Sequence, residues 1–123
     1  GYAGARDTTP EVAAAEIWTD VTNITIPAQG ALEYKFHVQQ GDSLKYDWAT
    51  EGTALFFDFH GDPDKAKNGE FESFQVATLS AAQGSMAPTF SGAIGWYWKN
   101  ETDEPVQIVL MTQGKYEVIG VPH

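Results

Sequence analysis

GAIGWYWKNETDEPVQIVLMTQGKY, residues 92–116, carries the pattern on which the fold turns. Two alternating runs, residues 95–99 and 106–113, flank the polar break Asn100-Glu101-Thr102-Asp103-Glu104-Pro105, the pattern of a β-hairpin with a loop of several residues. A period of two puts Trp96 and Trp98 on one face of the first strand and Tyr97 on the other, while Val106, Ile108 and Leu110 share a face of the second. Two indoles and three aliphatic side chains on neighbouring strands seed a core, and the rest of the chain must cover it.

Working outward, residues 31–38 alternate Leu32, Tyr34, Phe36 and Val38 with Glu33, Lys35 and His37, one face buried and one wet. Gln40-Gly41-Asp42 turns the chain into a second alternating run through Leu44, Tyr46 and Trp48, and the two runs read as a hairpin. Leu55, Phe57 and Phe59 mark another strand, apolar on both faces in its first half. Residues 17–26, 70–79 and 115–121 supply further strands. Residues 61–69 and 80–87 read as loops, polar in one case and small and Gly-containing in the other. About eight short strands with no long helix between them predict an all-β protein, an antiparallel β-sandwich of jelly-roll type, with a barrel as the competing architecture. One domain is expected at residues 17–123. Residues 1–16 read as a flexible tail or linker, with one helical turn expected at residues 10–16; a chain opening on GYAGARDTTP rather than Met is expected to be the soluble part of a longer protein.

The chain of 123 residues carries 17 acidic against 7 basic residues, a net charge of -10, and no cysteine. Such a surface repels phosphate backbones and anionic headgroups, so nucleic acid is excluded as a partner. Without Cys there is no disulfide, thiolate metal site or thiol nucleophile. No apolar run is long enough to span a bilayer. No G-x-S-x-G, phosphate loop or dinucleotide fingerprint is present, and enzyme activity is the less favoured class.

Asp58-Phe59-His60-Gly61-Asp62-Pro63-Asp64 is the densest polar group. In an extended strand Asp58 and His60 point the same way, and a turn after Gly61 would bring Asp62 or Asp64 back toward them, giving an imidazole and carboxylates for a divalent metal ion. The other reading is structural: Asp62 caps a turn, Pro63 stiffens it and His60 bonds the backbone. Calcium in the loop spanning Asp62, Asp64, Asn68, Glu70 and Glu72 is a further option, although the spacing is not that of an EF-hand. Tyr97 and Trp48 are candidates for a platform on which sugar rings stack, against the reading that the tryptophans are core. Asn23-Ile24-Thr25 and Asn100-Glu101-Thr102 match the glycosylation triplet.

DFHGDP at residues 58–63, together with GWYWKN and TDEPVQIVLMTQGKY within residues 95–116, resembles a family of small bacterial transmembrane anchor proteins, with His60, Gly61, Asp62 and Pro63 matching one segment and Gly95, Trp96, Trp98 and Asn100 the other. The same hairpin resembles GOLD-type β-sandwich domains. The first resemblance implies a periplasmic or extracytoplasmic domain, tethered to the inner membrane by a helix preceding this chain and accompanying a membrane transport protein. The expected function is a non-enzymatic binding or accessory domain handling cations through the His60 loop. A carbohydrate-binding module and a small metal-dependent enzyme are the alternatives.

Overall fold

A computed structural model describes residues 17–122; the expected tail, the helical turn at residues 10–16 and His123 lie outside the described residues. Nine strands follow in order: β1 (Asp20–Ile26), β2 (Ala31–Val38), β3 (Leu44–Ala49), β4 (Leu55–Pro63), β5 (Glu72–Leu79), β6 (Ala81–Met86), β7 (Gly92–Lys99), β8 (Val106–Gly114) and β9 (Glu117–Gly120). They form two antiparallel sheets, ordered β1-β8-β3-β6 and β5-β4-β7-β2-β9. First pairs with eighth, second with seventh, third with sixth and fourth with fifth, so the chain winds as one long folded hairpin; this is jelly-roll connectivity, with β9 added at one edge.

Neither expected hairpin forms. β7 lies in the five-stranded sheet and β8 in the four-stranded one, and β2 and β3 are separated in the same way. Alternation with period two reports which face is buried, and that face is the same whether two strands pair side by side or oppose each other across a core. One expected loop, residues 80–87, proves to be mostly strand, and the other, residues 61–69, yields only its first three residues to one. β6 alternates Ala82 and Met86 inward with exposed Ala81, Gln83 and Ser85, a pattern muted by small side chains. β4 runs on through Gly61 to Pro63, because Gly61 faces inward: a Cβ there would stand 2.7 Å from Ile94 Cδ1 and 2.8 Å from Phe90 Cζ.

The sheets close on an aromatic layer. Trp96 stacks on Phe59 (centroids 4.5 Å apart, planes 9° apart) and lies parallel to Trp98 at 5.6 Å, while Trp48 stands edge-on to both Trp98 and Phe57. Trp48, Trp96 and Trp98 are fully buried, as are Ile108 and Leu110 on β8, the neighbour of β3 in the four-stranded sheet. Offset and edge-to-face rings contribute roughly 0.5–1.5 kcal/mol per pair beyond the area they remove from water. The indole N–H groups of Trp48, Trp96 and Trp98 are buried in this layer without a hydrogen-bond partner, at a cost of roughly 1–3 kcal/mol each.

Asn100 makes the crossing from β7 to β8. The two hydrogens of its Nδ2 serve three carbonyls, those of Ile26 (3.1 Å), Pro27 (3.1 Å) and Glu104 (2.7 Å), one hydrogen being shared, and its Oδ1 accepts from the Thr102 N–H at 2.9 Å. Being fully buried and committed in this way, Asn100 is no glycosylation acceptor in the folded chain, whereas Asn23 stands exposed on β1. Asn100→Ala strands several of these carbonyls, and we expect a loss of about 2–4 kcal/mol in urea unfolding, since each buried group left unpaired costs about 1–3 kcal/mol.

A second polar tie joins β1, β8 and the segment before β9. Tyr116 Oη donates to Asp20 Oδ2 at 2.6 Å and lies 2.7 Å from Thr112 Oγ1, with its ring edge-on to Phe36. Burial, reinforced by the Asp20 carboxylate, pushes the Tyr116 phenol up to about 12. An acid whose folded pKa lies above its unfolded value of about 10 stabilises the fold fully below pH 10 and loses that contribution as pH rises toward 12. Stability followed by denaturant titration should therefore fall across this alkaline window, and fall less steeply in Tyr116→Phe.

Candidate functional site

With Leu55, Phe57, Phe59, Ile94, Trp96, Trp98, Phe36 and Val38 committed to the core, alternation turns the intervening residues of β4, β7 and β2 outward. Register sets them in three rungs across the sheet: Asp58, Tyr97 and Glu33; His60, Gly95 and Lys35; Asp62, Ala93 and His37. The middle strand thus contributes one ring and two small residues. Gly95 is the pivot, because a Cβ there would fall 2.0 Å from the Tyr34 carbonyl oxygen. Only glycine lets β2 and β7 come this close, and the missing side chain leaves room for Lys35 and His60 to lie over the sheet.

Charges of alternating sign run across this face. Lys35 Nζ forms an ion pair with Asp62 and stands 3.9 Å from Glu33 Oε2. Glu33 Oε2 is 3.5 Å from His60 Nε2. His60 Nδ1 lies 3.0 Å from the Asp58 carbonyl oxygen; a carbonyl only accepts, so Nδ1 carries the proton and Nε2 faces the Glu33 carboxylate. Ser73 Oγ donates to Asp58 Oδ1 at 2.8 Å, and His37 Nε2 meets Asp64 Oδ2 at 2.7 Å. Lys35 and His60, although outward-facing, are only 9% and 6% exposed. Phe71, from the segment leading into β5, stands edge-on to His60 at 5.4 Å.

The expected metal set does not converge. Because β4 stays extended past Gly61, Asp62 does not fold back toward Asp58 and His60, whose own side chains approach each other, Oδ1 to Nδ1, at 3.8 Å. Asp62 is taken by Lys35 and Asp64 by His37. Among the described residues no group of three or more His, Asp or Glu side chains is arranged to hold a metal ion. His60 also lies on no loop, since it is buried within β4. Of the two platform candidates, Trp48 is fully buried between Phe57 and Trp98 and offers no face to a ligand. Tyr97 is half-buried and lines an open groove of about 430 Å³ with Ala31, Leu32, Glu33, Val121 and Pro122. Glu33 and Lys35 were visible as the wet positions of β2, but nothing in the sequence announced that β7 would bring them beside His60.

These features define an all-β jelly-roll sandwich with a charged outer sheet face and a groove at its β9 end. No protein-family model matches the chain, and no curated protein matches it. Among solved structures it is similar to a de novo designed double-stranded β-helix determined by solution NMR, at 14% identity and a TM-score of 0.44, covering 77% of this chain and 100% of that one. That likeness is too slight to carry an argument about function.

Gly95→Ala should destabilise the protein by about 3 kcal/mol, the upper range for forcing an added methyl into a close-packed site. Comparison of urea midpoints with wild type measures the loss.

Proposed function

We propose that the chain is a non-enzymatic binding domain that takes a basic side chain of a partner protein in the groove beside Tyr97 and Glu33. The observation that carries this reading is the Glu33 carboxylate. It is partly exposed at the groove, and the nearest basic nitrogens, His60 Nε2 at 3.5 Å and Lys35 Nζ at 3.9 Å, stand farther off than a charge-assisted hydrogen bond. A lysine or arginine lying in the groove would set its apolar stem on Leu32, Val121 and Pro122, and its charge between Glu33 and the face of Tyr97. Lys35 on the same face already illustrates the chemistry, an ammonium held among carboxylates. The net charge of -10 favours encounter with a cationic partner.

The resemblance to transmembrane anchor proteins supports placing this domain in the periplasm or another extracytoplasmic space, tethered to the inner membrane and acting beside a membrane transport protein. A divalent cation on this face would have to displace the Lys35 ammonium, which weakens the metal-handling and metal-enzyme readings. Of the two expected platform residues only Tyr97 keeps a partly open face, because Trp48 is buried.

Calorimetry with an oligolysine peptide tests the reading, with an oligoglutamate peptide as control. Wild type should bind the first alone, and Glu33→Gln and Tyr97→Ala should each weaken binding about tenfold, the scale of one lost charge-assisted contact. Unchanged affinity in both variants, or no binding to wild type, would sink it. Stoichiometric Zn²⁺ uptake abolished by His60→Ala would put the metal-centred reading in its place.

A further inference from the structure

We infer that the side wall built by β5 and β6 is the contact surface of a symmetric dimer of this chain, joined by antiparallel pairing of β5 with its copy. Among the described residues β5 pairs only with β4, and β6 only with β3, so each is the outer strand of its sheet. Ser80 alone separates them, which puts both open edges on the same side of the sandwich. An outer strand exposes a row of unpaired backbone N–H and C=O groups, which soluble proteins ordinarily guard with charge, Pro or very short strands.

That guard is missing here. No charged residue occurs anywhere in residues 73–98, although the whole chain carries a net charge of -10. The edge strand β9 is only four residues long and begins with Glu117, and β1 and β5 each carry a single acid at their start, Asp20 and Glu72, so it is β6, with no charge at all, that extends the neutral stretch across both edges of this wall. Val76 and Leu79 on β5 remain 53% and 40% exposed.

The charge pattern also selects the occupant. Two copies of so acidic a protein repel each other over most of their surfaces, and the neutral wall is where they approach at least cost. The register of β5 against β4 shifts between Phe59 and His60, which leaves Gln75, Val76, Ala77, Thr78 and Leu79 as the regular segment. Antiparallel self-pairing about Ala77 sets Val76 against Thr78 of the partner subunit, a β-branched pair repeated by the two-fold axis. The two copies of Glu72 then lie at opposite ends of the paired strands. The five-stranded sheets join into one, and the neutral β6 edges approach in the second layer.

Sedimentation velocity on the full chain across a concentration series tests this, with two variants at exposed positions where folding is undisturbed. V76K/T78K places lysine against lysine twice and should weaken dimerisation at least tenfold, while matching the thermal midpoint that wild type shows at a dilution where it is monomeric. V76K/T78E places lysine against glutamate in the same register and should restore it to within about threefold, since opposed charges across a strand pair attract as strongly as like charges repel. A wild-type chain that stays monomeric into the sub-millimolar range would overturn the inference. So would a V76K/T78K dimer as tight as wild type, or failure of V76K/T78E to recover dimerisation.

Discussion

The stacked layer of Phe59, Trp96 and Trp98, closed from the opposite sheet by Tyr46 and Trp48, is the contact on which the rest depends. β4 and β7 are adjacent in the five-stranded sheet, and β3 opposes them from the four-stranded one, so these rings fix both the pairing of two central strands and the spacing between layers. At roughly 150–250 Å² of buried surface per aromatic side chain, few other contacts in a domain of this size compare. Strands of six to nine residues meet there with short connections, which is why the winding closes without a helix.

That inner layer dictates the outer face. Once Trp96 and Trp98 point inward, Gly95 and Tyr97 must point outward, and register with β2 and β4 sets them among Glu33, Lys35, Asp58 and His60. The polar array is thus a consequence of the core, built on the alternate residues of the same strands. Its charges pair with one another rather than leaving a vacant coordination shell. Glu33, at the margin of the array beside the groove, is the carboxylate left with the loosest contacts.

The acidic excess is unevenly placed. It concentrates on outward positions of the sheets and on turns, while residues 73–98 carry none of it. A charged surface keeps an aromatic-rich sandwich soluble, and the neutral side wall is the place where that protection lapses.

The sequence by itself determined the fold class, the inward face of nearly every strand and the burial of Trp96 and Trp98, because side-chain alternation is a local property of an extended chain. It also marked Asp58, His60 and Tyr97 as outward polar positions on two strands. It did not determine which strands pair: β7 and β8 alternate as a hairpin would, yet Asn100 carries the chain across the core instead. Nor did it reveal that β4 continues through Gly61, since glycine signals a turn from sequence alone, whereas here it makes room for Phe74, Phe90 and Ile94. Partners such as Lys35 for Asp62 and His37 for Asp64 are far apart in the chain, so only the sheet order, fixed by how the aromatic layer packs, could bring them together.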